Sequence, residues 1–512
     1  MARLFAAIDV GSYELNMGIY EFGQGEMKII DTVKYRLDLG TDSYTKGRLP
    51  VDKVEELCRI LKEFVRIMKG YHVTEYKAYG TSAIRETRNT RILLDQIEQR
   101  TGIHVDPISN SEQRFLDYKS VASKGREFSE IIEKPTAIVD IGGGSIQISL
   151  FDKDKLDVTQ NMKLGILRLQ ESLTELDASP GKYEELLEEM IGSQLAEFEK
   201  LYLKSRNVEN LIVVDDYVSP ITWTRTKDTD NPGFVTADRF MAFSERIREM
   251  NPEEFCRRYS IARENLNQVY IAATMIRSVA RTMGVAAIWA PGVTLTDGIA
   301  YEYGERKKLI VIDHDFEGDI IACARSLSHR YMGDDKRSQT LENICVTIFD
   351  SMKKVTGLSR RDKLLLRIAT ILHGCGKFIS MYNLGQCSYD IIMATEIIGL
   401  SEVEKEIIAG VVRYDHDYID YDTETANDGG RAEEVNMRVA KLSAILRIGG
   451  ALDKSHKQKF GDIKAKLIDD TLVITVRTNK DITLEKGVFA SRADYFEEIF
   501  CVRPVINQIA KI

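Results

Sequence analysis

Two short stretches hold the chemistry that this sequence offers most clearly. The first is Asp9-Val-Gly-Ser12, entered from Phe5-Ala-Ala-Ile8. The second is Asp140-Ile-Gly-Gly-Gly-Ser145, entered from Thr136-Ala-Ile-Val139. Each reads as a buried strand ending in an acid, a glycine turn, and a returning strand, Met17 to Phe22 in one and Ile146 to Phe151 in the other. Glycine lets the backbone come close to a ligand, and successive N–H groups in such a turn form an anion-binding concavity. A hairpin of this kind is suited to hold a phosphate chain. One glycine hairpin alone would not single out phosphate, since most such turns bind nothing.

The repetition is more specific. Asp9 matches Asp140, Gly11 matches Gly142, and Ser12 matches Gly143. Both copies continue into a further strand, Met27 to Val33 and Lys155 to Thr159. Both then reach a Leu-Gly pair, Leu39-Gly40 and Leu164-Gly165. A duplication at this long period predicts two similar lobes facing one another. Two phosphate-type hairpins across a cleft is the plan of the actin-like phosphotransferase fold.

Three further stretches belong with these. Gly80-Thr-Ser-Ala-Ile-Arg-Glu-Thr-Arg-Asn89 places Thr81 and Ser82 at a helix start with Arg85 following, either as donors to an anion or as a capped surface helix. Ile108-Ser-Asn-Ser-Glu-Gln-Arg-Phe-Leu116 opens a helix that Ser109 or Ser111 can cap. Glu112 then lies in its first turn, as a partner of the helix dipole or as a general base for water. Ala290-Pro-Gly-Val-Thr-Leu-Thr-Asp-Gly298 is another turn at a strand end, where α/β sheets tend to bind ligands.

The elements that must position these residues fill a chain of 512 residues, enough for three or four domains. Apolar content of 44% and charged content of 29% suit ordinary globular cores. A net charge of −9 argues against a dedicated nucleic-acid binder and against an electrostatic membrane anchor. Seven cysteines without a CxxC pair suit a reducing, cytoplasmic setting. The apolar run at the start is too short for a signal peptide, and no apolar stretch approaches a membrane span. Val51 to Met68 is amphipathic at helical spacing. Beyond the charged run Tyr303 to Lys308 the pattern becomes mainly helical, and Ile463 to Lys466, Thr471 to Val476 and Ile482 to Leu484 alternate like strands.

With these motifs in place, the chain resembles the exopolyphosphatase and guanosine-pentaphosphate phosphohydrolase (Ppx/GppA) family. The resemblance implies an α/β fold: an actin-like, ribonuclease-H-like lobe over residues 1–125 and a second over 126–305. It further implies a helical HD-like domain over 306–460 and a small α+β module over 461–512. It also implies Mg²⁺ and release of terminal phosphate from polyphosphate or guanosine pentaphosphate. By position, Glu112 resembles the base that orients the attacking water, and Asp9 and Asp140 resemble the acids that hold Mg²⁺. Gly11, Ser12, Gly142, Gly143, Gly144 and Ser145 resemble the phosphate cradle, and Thr81, Ser82 and Arg85 a third phosphate contact.

The chain departs from the family pattern at Tyr13, Glu14, Asn16, Gln113, Gln147 and Thr296. In the HD-like region, Leu372-His-Gly-Cys-Gly-Lys-Phe-Ile379 has Gly374 in place of an acid, Arg337 stands where a histidine is expected, and Gly450 where a last acid would be. The expectation is a domain without a metal site, with His416 of undecided placement. Two functions stay open: a phosphohydrolase with Glu112 as its base, or a weakened relative that binds polyphosphate, a guanosine polyphosphate or a nucleotide as a regulator. An actin-like sugar or acid kinase fits less well, because the order of motifs follows the phosphohydrolases throughout. A homodimer through the helical domain is the expected assembly.

Overall fold

The computed structural model describes residues 3–176, 182–204, 206–226, 229, 231–415, 430–460 and 463–510. The chain forms two compact units, Met1–Asp315 and Phe316–Ile512. Among the described residues no helix is long and apolar enough to cross a membrane.

The first unit contains one topology twice. Strands β1 (Arg3–Val10), β2 (Glu14–Gly23) and β3 (Glu26–Arg36) form an antiparallel meander, and β4 (Glu75–Gly80) and β5 (Val105–Pro107) add in parallel. The strand order is β3-β2-β1-β4-β5. The second copy runs through β6 (Thr136–Ile141), β7 (Ile146–Asp152), β8 (Lys155–Met162), β9 (Asn210–Asp215), β10 (Phe234–Thr236) and β11 (Ala287–Trp289). Its order is β10-β11-β9-β6-β7-β8, with β6, β9 and β11 parallel and β10 an added antiparallel edge. These are two actin-like, ribonuclease-H-like lobes.

The periodicity explains where the cores lie. β1 is buried on both faces because apolar side chains cover it on each side. Ala6, Ile8 and Val10 pack toward the helix over Val51–Gly70, while Phe5 and Ala7 pack toward the helix over Leu295–Lys307. Phe234 starts β10. The short edge strand Phe234–Thr236 precedes the helix over Ala237–Glu249, whose Thr236 cap accepts from the Arg239 amide.

The second unit is helical, with a three-stranded sheet of β12 (Ile463–Ile468), β13 (Thr471–Arg477) and β14 (Arg503–Ile509). Ile482 to Leu484, expected as a strand, leads instead into the helix over Thr483–Phe500. The third strand comes after that helix and pairs in parallel with β13. Arg337, His373, Gly374 and Lys377 line a cavity of about 200 Å³ in this unit. His373 shares a hydrogen bond between Nδ1 and the Thr370 carbonyl at 3.1 Å. Burial, and then Arg337, push its pKa down to about 3, so the ring is neutral at physiological pH. No group of three His, Cys, Asp or Glu side chains able to hold a metal occurs among the described residues. His416 lies outside the described residues.

Candidate active site

The two glycine hairpins face each other. A Cβ built on Gly143 would stand 3.5 Å from the Ser12 Cβ. Each hairpin closes in the same way: the Gly11 amide donates to the Glu14 carbonyl at 3.1 Å, and the Gly142 amide to the Ser145 carbonyl at 3.0 Å. Gly11 and Gly142 therefore shape the cradle without offering their N–H groups to a ligand. The amides of Ser12, Gly143 and Gly144 have no acceptor among the described residues.

Backbone amides at or just after the duplicated Leu-Gly pairs hold both turns. Leu39 and Gly40 donate their amides to the Ser12 carbonyl at 2.8 and 2.7 Å. Ile166 and Leu167 donate likewise to Gly142 and Gly143 at 3.1 and 2.9 Å. Gly165 is obligatory at this crossing: a Cβ there would lie 2.2 Å from the Gly143 carbonyl oxygen and 2.4 Å from the Ser145 nitrogen.

Ser12, Thr81, Ser82, Arg85, Asp9, Asp140 and the glycine hairpins all line one cavity of about 80 Å³. Thr81 and Ser82 follow directly from β4, whose parallel pairing with β1 brings them beside the first hairpin. Ser12, Tyr44 and Ser82 form a triangle of hydroxyls with edges of 2.7 to 2.8 Å. Arg85 donates to the Ile108 carbonyl at 2.7 Å and to Asn110 Oδ1 at 2.5 Å, and so braces the start of the next helix. Arg168 donates to the Gly144 carbonyl at 2.8 Å and to Glu86 at 2.5 Å, tying the second hairpin to the first lobe.

Glu112 lies in the first turn of its helix, as the sequence indicates. It sits in a capping box at the start of the helix over Asn110–Ala122. Its Oε2 accepts from the Ser109 amide at 3.0 Å and the Ser109 hydroxyl at 2.8 Å. The cavity wall from this helix is Asn110, Gln113, Arg114 and Asp117. In this geometry the Glu112 carboxylate caps the helix. Close packing fixes the helix, since a Cβ on Gly298 would meet the Leu116 carbonyl oxygen at 1.9 Å.

Arg114 and Asp117, three residues apart on that helix, point at Asp140. Arg114 pairs with Asp140 and donates to the Ser145 hydroxyl at 2.8 Å. Desolvation and Asp140 hold the Asp117 carboxyl well above the usual range. Asp9 is raised too, first by burial and then by Asp216 and Glu14, and its Oδ1 has no hydrogen-bond partner among the described residues. Glu14 lines the cavity and accepts from Asn16 at 2.9 Å and Lys34 at 3.1 Å, so the two departures there compensate one another. Asp216, just past β9, keeps an exposed edge at the cleft; desolvation and then Glu14 raise it to about 7, against the pull of Lys34. Thr296 is buried away from the cavity lining, accepting from Tyr20 at 3.0 Å, and Gln147 is buried beside Ser149.

Asp216, Asp117, Arg114, Lys34 and Tyr44 escape the motif reading. The strand-end rule that singled out Asp9 and Asp140 also points to Asp215-Asp216 after the buried run Leu211 to Val214, and the i, i+3 spacing from Arg114 points to Asp117.

Known proteins share this architecture. Residues 18–306 match the Ppx/GppA phosphatase family, and residues 321–491 match Ppx/GppA phosphatase domain III. A guanosine-5′-triphosphate,3′-diphosphate pyrophosphatase of Aeromonas hydrophila is 20% identical over 461 residues, covering 87% of this chain and 86% of the relative. Exopolyphosphatase 1 of Mycobacterium bovis is 22% identical over 192 residues, covering 37% of this chain and 54% of its own. Among solved structures, an exopolyphosphatase from Cytophaga hutchinsonii aligns with a TM-score of 0.52 at 17% identity, over 60% of this chain and all of its own. The Aquifex aeolicus Ppx/GppA family member aligns with a TM-score of 0.50 at 19% identity, over 62% of this chain and all of its own. With its first unit matched almost throughout and domain III following in order, the chain belongs to the Ppx/GppA phosphatase family.

Proposed function

We propose that this protein hydrolyses the terminal phosphoanhydride bond of inorganic polyphosphate or guanosine pentaphosphate and releases orthophosphate. The supporting observation is the pair of facing hairpins whose Ser12, Gly143 and Gly144 amides are available to phosphate oxygens. The Ser12, Tyr44 and Ser82 hydroxyls supply further donors on one wall.

Six carboxyl groups (Asp9, Glu14, Asp117, Asp140, Asp215 and Asp216) share this cavity's lining, with Arg114 and Arg85 as its lining cations and Lys34 acting on Glu14. A polyanion entering alone would be repelled. Mg²⁺ answers that imbalance, and the unpartnered Asp9 Oδ1 fits it, with Asp216 acting electrostatically on Asp9. Asp140 fits less directly, because Arg114 already holds its carboxylate. When bound, Mg²⁺ supplies positive charge to the reacting phosphate oxygens. Arg114 holds Asp140 and Ser145 in place, and the hairpin amides orient the phosphate.

For the group that orients water, geometry favours Asp216 over Glu112. Asp216 lines the cavity with a carboxyl near neutrality, as a general base needs, whereas the Glu112 carboxylate is taken by Ser109. A second reading, a binder with little turnover, draws support from that same capped Glu112. Orthophosphate release from long-chain polyphosphate and guanosine pentaphosphate, with and without Mg²⁺, separates the two. Mg²⁺-dependent release supports the hydrolase; binding without release supports the regulator. For assembly we propose a homodimer through the helical unit, for which exposed Phe378, Ile379, Met381 and Tyr382 offer apolar surface. Sedimentation of the native chain against a Tyr382→Ser, Met381→Ser variant tests this.

A further inference from the structure

The cavity of the helical unit holds a second charged site. It lies where the end of the helix over Phe316–Arg330, the start of the helix over Asp335–Thr356 and the end of the helix over Arg360–Leu372 meet. Arg337, His373 and Lys377 supply its basic lining. Between His373 and Lys377 the wall is Gly374, where a built Cβ would meet nothing within 4 Å. The absence of a side chain there leaves open space directly beside the basic groups.

Those groups crowd one another. Burial, and then Arg337 and Lys454, hold the Lys377 ammonium below its usual range. Burial, and then Arg337, Lys377 and Lys454, lower His456 as well. Among the described residues Lys377 and Lys454 make no salt bridge. Arg337 has only a loose one: its Nε stands 4.0 Å from Asp453 Oδ2, an oxygen with no hydrogen-bond partner among the described residues. The other acids nearby are committed. Asp334 Oδ1 accepts from the Lys336 and Arg337 amides at 3.0 and 3.2 Å, and Asp415 pairs with Arg492 at 3.1 Å. In a chain of net charge −9 this is a local reversal of sign. His373 adds a feature of another kind. Its neutral ring donates from Nδ1 to the Thr370 carbonyl, which leaves Nε2 as an acceptor with no hydrogen bond among the described residues. The side chain is buried in the cavity wall.

We propose that this cavity binds a phosphate group that carries a proton, either orthophosphate or the end of a phosphomonoester. Arg337 and Lys377 meet its charged oxygens, and His373 Nε2 accepts from its P–O–H. The guanidinium fork matches two phosphate oxygens, and the lysine adds a point charge. Two cations alone would take any anion of the right size. The imidazole acceptor adds the selection, because sulfate and ionised carboxylates have no O–H to give it. The site lies wholly in the helical unit, so it rests on nothing in the hydrolase reading.

The test is hydrogen-exchange mass spectrometry of the full chain with inorganic phosphate, glycerol 3-phosphate and sulfate at matched ionic strength. Inorganic phosphate should protect the segments 331–338 and 371–378, which form the cavity wall. Sulfate should need at least about tenfold more for the same protection, because it leaves the His373 acceptor facing an oxygen without hydrogen. Whichever of phosphate and glycerol 3-phosphate protects at the lower concentration shows whether the free ion or the ester is the ligand. Lys377→Gln breaks no ion pair and should raise the concentration needed by at least about tenfold. Arg337→Gln should do the same, and Lys377→Gln decides the matter if the loss of the Asp453 contact unfolds that variant. Phosphate held at the hairpins is read separately, as protection of 9–12 and 140–145, and should be unchanged in Lys377→Gln. No protection by phosphate at the cavity wall, equal protection by sulfate, or undiminished protection in Lys377→Gln would overturn the proposal. None of these readings needs turnover, so failure of the hydrolase reading would leave the site standing.

Discussion

Arg114 and Asp140 form a buried ion pair at the floor of the cleft, joining the helix over Asn110–Ala122 to the end of β6. Such a pair is costly to break, since removing one partner leaves the other charge buried and uncompensated. Arg114→Met should therefore lower unfolding free energy by about 3–5 kcal/mol in denaturant titrations. A smaller loss in Arg114→Met, Asp140→Leu than in the single variant would show that the stranded carboxylate is the main cost.

The Ser109–Glu112 cap gives a milder outcome. Ser109→Ala removes the acceptor for the Glu112 amide and should cost about 1 kcal/mol. Glu112→Gln keeps a side chain able to complete the box and should melt close to the native protein. Thermal unfolding of the two variants side by side checks this order.

Gly165 makes the sharpest steric prediction. The methyl group of Gly165→Ala would fall among backbone atoms of Gly143, Gly144 and Ser145, where no flexible side chain can yield. The second hairpin must then move. Phosphate release should fall at least about a hundredfold, as expected when reacting groups shift by about 1 Å. Retained release would show that the hairpin tolerates another path.

Asp216 links pH to stability and activity in opposite directions. Its native pKa, about 7, lies above that of an unfolded carboxyl, so the folded state binds the proton more tightly. That contribution is fully present below the unfolded value, is lost as pH rises toward about 7, and is absent above it. Asp216→Asn should accordingly raise the melting temperature more at pH of about 8 than at about 5. Phosphate release by the native protein should climb through about pH 7 as the base ionises, and that rise should vanish in the variant.

Much of the fold was legible because it is written twice. The matched acids, glycines and Leu-Gly pairs foretell the two lobes; the amides of Leu39 and Gly40 in one copy, and of Ile166 and Leu167 just past the pair in the other, hold the glycine turns. The positions of Ser12, Thr81, Ser82 and Arg85 follow from the same strand ends. Glu112 was ambiguous for a physical reason: S-x-x-E serves equally as a cap and as a carboxylate near a cleft, and only the rotation of the helix decides. That rotation aims Arg114 and Asp117 inward instead. Asp216 was hidden because its environment comes from Glu14 and Lys34, nearly two hundred residues away in sequence.

Mg²⁺-dependent orthophosphate release by the native chain, Asp216→Asn and Glu112→Gln, on both long-chain polyphosphate and guanosine pentaphosphate, tests the central claim most directly. The account predicts release by the native protein, loss of about a hundredfold or more in Asp216→Asn, and near-native release in Glu112→Gln. Abolition in Glu112→Gln with activity retained in Asp216→Asn would contradict it and return the water-orienting role to the helix start.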